Sequence, residues 1–334
     1  MKQIAVIGAG SWGSAIARLL GAKGFEVRLW ARDASLVAAI NETHRNPRYL
    51  ADAELPLTLT AVNDLSLALD DAQAVVFATP SSVVRDMAHT IASGALLAQD
   101  TPLVMLSKGI EHSTGKTLLE VLADELGAQE RLAVLSGPNH AEEVSRDILS
   151  GTLIAAYDER VAFFFQDLFT TSRFRVYTST DVVGVQLCGA SKNVIAIAAG
   201  IAAGLGLGDN TAAVLMTRGL AEISRLVEAA GGSPQTCMGL AGMGDLIATC
   251  ASVHSRNRSF GAALSEGKTL EEYEKSTHMV VEGALACRTI PQLAKKLGVE
   301  MPISSCVYDV VWEGRPLGDM ITELMERPAK PEFY

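Results

Sequence analysis

The chain has 334 residues, 49% hydrophobic and 20% charged, which is enough apolar material for two packed domains. Its formal net charge of −10 argues against the extended basic face that nucleic acid or an anionic membrane requires, but leaves room for a local anion pocket. The five cysteines (Cys188, Cys237, Cys250, Cys287, Cys306) are odd in number and scattered, without a CxxC, so free thiols in a reducing compartment are expected.

The chain opens on a β-rich run, residues 4–8, with no room for a signal peptide before the glycine turn that follows. A helical pattern then runs to Gly21. The next strand pattern covers 26–30 and precedes a helix from about Ala34. Further strand patterns lie at 74–80, 102–107, 132–138, 152–157 and 174–177, and the first three of these are each followed by a helical pattern. This alternation predicts a Rossmann-like α/β domain, with a mostly parallel sheet and helices on both faces. From about residue 181 the strand patterns largely stop. Alanine- and leucine-rich helical stretches continue to the end, broken at Gly239–Gly244, Pro291, Pro302 and Pro316. The expected division is a dinucleotide-binding domain over 1–180 and an all-helical substrate domain over 181–334, ending in a loose tail. The apolar run from Val194 to Leu207 is too short to span a bilayer and reads as a buried helix, so no membrane span is expected. Ala196, Gly200, Gly204 and Gly208, one helical turn apart, suggest close helix packing.

Gly8, Gly10 and Gly13 form a GxGxxG placed directly after the first strand and opening a helix. Such glycines permit a tight turn, close approach of a pyrophosphate and packing of helix on strand. Ser11 and Trp12 are expected in the loop that wraps the cofactor. At the end of the second strand, Arg32 suits a 2′-phosphate and Asp33 suits ribose hydroxyls; Arg32 leans the reading toward NADP, with NAD left open. The segment from Gly109 to Thr117 imitates a phosphate-binding loop, but five residues separate its glycines where four are needed.

Ligands in this architecture bind at the carboxyl ends of the strands. Lys108 and Asn139 stand there, and turn chemistry or helix capping explains either one equally well. In the second half, Lys192 and Asn193 sit in the apolar run LCGASKNVIAIAAG. A lysine there is either satisfied by partners or used for its chemistry. Asp245 follows a glycine-rich stretch and could be a helix cap. Ser255, Arg256, Asn257 and Arg258 form a cluster suited to a phosphate or to solvent. Six histidines (His44, His89, His112, His140, His254, His278) show no metal-binding spacing, and no GxSxG is present.

The ordered set GAGSWG, LSKGIE, SGPNHAEEV, LCGASKNVIAIAAG, GDNTAAVLMTRGLAE, GLAGMGDLIATC, HSRNRSFG and VVEG resembles the bacterial NAD(P)-dependent glycerol-3-phosphate dehydrogenases from residue 4 to about 315. The resemblance implies a fold like that of 6-phosphogluconate dehydrogenase and reversible reduction of dihydroxyacetone phosphate to sn-glycerol 3-phosphate for phospholipid synthesis. By matching motif it implies cofactor contacts at Gly8, Gly10, Ser11, Trp12, Gly13, Arg32, Lys108, Ala141, Arg256, Val280 and Glu282. It implies substrate contacts at Lys108, Gly137, Asn139, Lys192, Asp245, Ser255, Arg256 and Asn257. Lys192 would be the acid/base, with Lys108 and Asp245 beside it. A cytoplasmic homodimer acting on a phosphorylated small molecule is expected. The chain departs from the common family pattern at Asn139 (often Ser or Thr), Ser191 (usually hydrophobic) and Ala212 (often Lys or Arg). Two rivals remain: a related hydroxy-acid dehydrogenase, and a cofactor-binding sensor that has lost catalysis. The sensor would be expected to lose Lys192, Asp245 or Arg256, and all three are present.

Overall fold

The computed structural model describes residues 2–277, 280–329 and 331–332. His278, and Lys330, Phe333 and Tyr334 of the expected tail, lie outside the described residues.

The first part runs β1 (Gln3–Ile7), α1 (Ser11–Ala22), β2 (Glu26–Trp30), α2 (Ala34–Thr43), β3 (Arg45–Asn46), β4 (Leu50–Glu54), β5 (Leu59–Val62) and α3 (Leu65–Leu69). It continues through β6 (Ala74–Phe77), α4 (Val84–Ser93), β7 (Leu103–Met105), α5 (Leu118–Leu126), β8 (Leu132–Ser136), α6 (Ala141–Val144), β9 (Ser150–Ala156), α7 (Glu159–Phe169) and β10 (Phe174–Ser179). Eight strands form one sheet in the order β10-β9-β8-β7-β6-β1-β2-β5, and β3 pairs with β4 in a separate hairpin. β1 pairs in parallel with β2 on one side and β6 on the other, which is the point where the strand order reverses and a cleft opens.

The sheet is parallel except between β8 and β9. A parallel return needs a crossover of about a dozen residues, usually helical. Only the four-residue α6 intervenes between β8 and β9, so the chain turns back on itself. The sequence reading omitted β5, a four-residue edge strand that ends the alternating run LPLTLTAV, and the β3–β4 hairpin. It also put Ser11 and Trp12 in a loop; they are the first two residues of α1.

The second part is helical: α8 (Val182–Gly204), α9 (Gly208–Ala229), α10 (Pro234–Cys237), α11 (Asp245–Ala251), α12 (Arg256–Ser265), α13 (Leu270–Thr277), α14 (Glu282–Lys296), α15 (Pro302–Glu313) and α16 (Leu317–Glu326). Leu240–Gly244 is not a clean break but a wide π turn leading into α11. Pro291 does not stop α14; it sits inside the helix, at the cost of one backbone hydrogen bond. Pro302 opens α15, and Pro316 precedes α16.

α8 is the hub. It has 23 residues, so by length and composition it could cross a bilayer, but 94% of its apolar window is buried inside the protein. A helix that is apolar all round must be covered all round. It stops at Gly204, which leaves Leu205 and Leu207 outside it and exposed. α12 crosses α8 at the small residues. A Cβ at Gly200 would lie 2.0 Å from the Arg258 carbonyl oxygen, and one at Gly204 would lie 1.9 Å from Ser265 Oγ. Gly208 is not part of this seam; it opens α9 with φ +79°.

Gly200→Val is therefore expected to push α12 off α8. Overpacking of this kind typically costs about 1–3 kcal/mol. Thermal unfolding should show a Tm several degrees lower, and an unchanged Tm would contradict the packing described.

Candidate active site

β1 delivers the chain to Gly8, whose φ of +117° only glycine adopts readily, and whose missing Cβ would lie 2.7 Å from the Ala78 carbonyl oxygen. A Cβ on Gly13 would strike the Gly8 carbonyl at 1.9 Å, so α1 packs hard against the turn. Gly10 is different, because no atom lies within 4 Å of the position a Cβ would take. Gly10 precedes α1, the helix has no side-chain cap, and its first turn carries no acid. These features fit the pyrophosphate of a dinucleotide, which takes its hydrogen bonds from free backbone N–H groups and needs an open approach. Thr79, at the end of the neighbouring strand, adds a buried hydroxyl with no partner among the described residues.

At the end of β2 the two candidates separate. Arg32 is exposed and makes no hydrogen bond or ion pair among the described residues. Asp33 caps α2 by accepting from the N–H groups of Ser35 and Leu36, and it pairs with Arg48 at 3.1 Å. Those hydrogen bonds to Ser35, helped by Leu36 and Arg48, hold its carboxyl below the usual range.

Across the cleft, α8 presents Lys192 and the π turn presents Asp245. Asp245 is not a side-chain cap. Its Oδ1 accepts from Lys192 Nζ at 2.6 Å, and its Oδ2 accepts from Lys108 Nζ at the end of β7. The side chains of Lys192 and Asp245 are 8% and 3% exposed, and that of Lys108 is 20% exposed. Ser136 Oγ also donates to Oδ2 at 3.5 Å, and Lys108 Nζ reaches the Gly137 carbonyl at 3.5 Å. Thr249, one turn beyond Asp245, accepts from Lys192 Nζ at 2.5 Å. Its Oγ1 also lies 2.6 Å from the Asp245 carbonyl oxygen.

The electrostatics follow from burial and charge. Desolvation pushes the Lys192 ammonium down to about 8, Asp245 pulls the other way, and Lys108 adds to the lowering. Burial alone would raise the Asp245 carboxyl, but the two ammonium groups outweigh it and hold it below the usual carboxylate range. The group that exchanges a proton near neutrality is therefore the lysine.

The other candidates lie around this trio in distinct roles. Asn139 donates to the Pro138 and Gly151 carbonyls, and its buried Oδ1 has no partner among the described residues. Ala141 is buried at the start of α6. The Ser255–Arg258 cluster is divided. Ser255 caps α12, and Asn257 Nδ2 donates to Asn193 Oδ1 at 2.9 Å while its Oδ1 accepts from Gly283 N–H at 2.9 Å. Arg256 is exposed and reaches the Val280 carbonyl at 3.5 Å. Val280 is exposed beside it. Glu282 is half-buried and joins the two parts of the chain, accepting from Ser81 N–H at 3.1 Å and from Ser81 Oγ at 2.6 Å. Burial raises the Glu282 carboxyl, against the Ser81 bonds and Arg256. His140 and His254 also face each other from the two parts, with ring centroids 6.1 Å apart.

The sequence reading missed Thr249 and Ser81. A hydroxyl four residues after Asp245 on a helix is a readable signal, since the two share a face. Ser81 stands just beyond a strand end, but nothing in the sequence pairs it with Glu282; only the tertiary fold brings the two together. Lys116 and Thr117, in the phosphate-loop look-alike, belong to other contacts. Thr117 caps α5 in a capping box with Glu120, and Lys116 pairs with Asp124. Of the departures from the family pattern, Ser191 is buried with its hydroxyl unpartnered among the described residues. A cavity of about 660 Å³ lies away from the trio, between α8, α9, α15 and α16, and it contains none of the site candidates.

A glycine turn on a reversing parallel sheet, facing a buried lysine–aspartate pair, defines a dinucleotide-binding protein equipped for proton transfer. Residues 3–162 match the N-terminal region and residues 181–322 the C-terminal region of NAD-dependent glycerol-3-phosphate dehydrogenase. The chain belongs to that family. It is 47% identical to the glycerol-3-phosphate dehydrogenase (NAD(P)+) of Moorella thermoacetica, over 99% of this chain and 98% of the relative. It is similarly 47% identical to that of Corynebacterium diphtheriae, over 99% of this chain and 100% of the relative. The crystal structure of glycerol-3-phosphate dehydrogenase from Coxiella burnetii superposes with a TM-score of 0.93 at 37% identity, covering 98% of this chain and 99% of that one.

Asp245→Asn would leave two ammonium groups without their carboxylate. Removing one partner of a buried pair costs about 3–5 kcal/mol. The Lys192 ammonium, lowered further in the variant, should then lose its proton below pH 8. Below that point the variant shows its full deficit, and the gap to wild type narrows as pH rises toward 8. Thermal unfolding across pH 6 to 9 checks this, and a pH-independent gap would contradict it.

Proposed function

We propose that the protein reduces dihydroxyacetone phosphate to sn-glycerol 3-phosphate, reversibly, with NADPH or NADH. The observation that carries the reading is the buried Lys192 ammonium, held by Asp245 and Thr249 with its pKa lowered to about 8. Family membership supplies the substrate class. Residues 1–180 would hold the cofactor and residues 181–334 would supply the acid and most of the substrate site.

A bound nicotinamide supplies the hydride for C2 of the ketone. The ketone oxygen then gains negative charge and needs a proton. Lys192 gives that proton from Nζ, and Asp245 and Thr249 hold Nζ in place while it does so. Lys108 stands on the other carboxylate oxygen and adds positive charge where the alkoxide develops. Arg256, exposed at the head of α12, is suited to the substrate phosphate. Anchoring the phosphate there uses remote binding energy to align the ketone. In the reverse direction neutral Lys192 takes the alcohol proton. The unpartnered Asn139 Oδ1 can accept from a substrate hydroxyl.

Three supports bear on the setting. The five free, buried cysteines suit a reducing cytoplasm. The product is a polar head suited to acylation, in keeping with phospholipid assembly. A homodimer is supported by the exposed Leu207 and Val214 near the start of α9; the α8 glycines do not support it, because α12 covers them within one protomer. Arg32, unpaired, favours the phosphate of NADPH, while Asp33 is engaged by its cap and by Arg48.

Loss of NADPH absorbance with dihydroxyacetone phosphate tests the reading. Failure to turn over while still binding NADPH would favour the sensor, and turnover only of a hydroxy acid would favour the other rival. Lys192→Ala should lower kcat by about 10²–10⁴-fold, with the fold retained. A variant that simply unfolds would make Lys192 structural. In wild type the sign of the pH dependence is set by which form works. kcat/KM for ketone reduction should fall as pH rises through about 8, because the ammonium is lost, and kcat/KM for alcohol oxidation should rise through the same point. Arg32→Ala should raise KM for NADPH by about tenfold and leave KM for NADH nearly unchanged, as expected for loss of one charge-assisted contact.

A further inference from the structure

Cys188 and Cys237 are buried with their sulfurs 3.5 Å apart, in hydrogen-bond contact. Their places in the chain give the pair its meaning. Cys188 lies on α8, one turn before Lys192, and the next residue, Gly189, packs against Lys108 and Ser136. Cys237 ends α10, a four-residue helix at the surface. Its neighbours Gln235, Met238 and Gly239 are exposed, so Cys237 lies one layer below solvent. The π turn Leu240–Gly244 follows directly and sets Asp245. The packing there is tight: a Cβ on Gly242 would lie 2.2 Å from the Cys237 carbonyl oxygen.

We infer that Cys188 and Cys237 form a redox-modification site, in which a peroxide oxidises the pair to a disulfide that pulls Asp245 out of register with Lys192. The chemistry balances in two steps. The Cys237 thiolate attacks one peroxide oxygen and becomes a sulfenic acid, releasing hydroxide. The Cys188 sulfur then attacks the sulfenic sulfur, forming the S–S bond, and its proton leaves with the hydroxyl as water. Two thiols are oxidised and one peroxide is reduced to two waters. The roles follow from position, since Cys237 is nearer solvent and Cys188 lies in the core. The hydrogen bond shared with Cys188, with help from Ser224, also lowers the Cys237 thiol below its ordinary value, against the effect of burial.

Closing a 3.5 Å contact to an S–S bond of about 2 Å requires roughly 1.5 Å of movement. α8 is buried along its length, so the movement falls on α10 and the turn behind it. A displacement of about 1 Å at a reacting group can cost on the order of a hundredfold in rate. The other three cysteines, on α11, α14 and α15, have no comparable partner among the described residues.

The test exposes the full protein to hydrogen peroxide, alkylates remaining thiols under denaturing conditions, and maps the peptides by mass spectrometry. The expected result is one cross-linked pair, Cys188 to Cys237, and two fewer alkylated thiols than in the reduced protein. Hydrogen exchange over residues 238–249 should rise, and ketone reduction should fall at least tenfold and return with dithiothreitol. Cys237→Ser should form no cross-link and keep its activity through the same exposure. Absence of the Cys188–Cys237 peptide would overturn the inference. So would a cross-linked protein with unchanged exchange and turnover, or equal inactivation of Cys237→Ser. The cross-link and the exchange do not depend on the substrate assigned above. If both form in a protein that never reduces the ketone, the substrate assignment fails and the modification site stands.

Discussion

Two ammonium groups, Lys108 from the end of β7 and Lys192 from the middle of α8, share the one carboxylate of Asp245, largely out of water. Each of these charges alone would be costly to bury. Together they satisfy one another, but with one positive charge in excess. The arrangement gives no large gain in stability, since desolvation offsets much of the Coulomb attraction. What it gives is position. The two lysines come from different parts of the chain, and Asp245 holds them at one point.

The rest of the fold serves that point. The reversal of strand order at β1 opens a cleft, and the glycine turn after β1 leaves backbone N–H groups free at the head of α1. The sheet and the helices are joined across the cleft by Glu282 on Ser81 and by Asp245 on Lys108. α8 must pass through the centre of the helical part to bring Lys192 there, which is why it is apolar on every side and why α12 crosses it at glycines. Asn193, Asn257 and the Gly283 N–H then tie α8, α12 and α14 together one residue from Lys192. Asp245 itself depends on a short surface helix and a π turn.

Much of this was legible in the sequence because local rules carried it. The glycine turn, the strand–helix alternation and the apolar run around Lys192 all act within a few residues, and the ordered motifs gathered the distant groups into one family pattern. The failures came where tertiary structure overrides local preference. Nothing near β9 announces that it runs antiparallel; the shortness of α6 decides it. Pro291 reads as a break, yet packing carries α14 through it. Asp245 reads as a cap because aspartate commonly caps helices, but two lysines distant in sequence claim its oxygens. Ser255 and Asn257 read with Arg256 as one anion cluster. Their side chains are used to cap α12 and to join helices, which leaves Arg256 open. The Cys188–Cys237 contact spans 49 residues and no motif marks it.

The central claim is that burial, moderated by Asp245, sets Lys192 apart from every ordinary surface lysine. The most direct measurement is an NMR titration of the Lys192 side chain in the wild-type protein, assigned by comparison with Lys192→Arg. The expected midpoint lies near pH 8, with the charged form favoured below it. A midpoint at the ordinary lysine value of about 10.5 would contradict it, since Lys192 would then be a satisfied structural ion with no proton to exchange near neutrality.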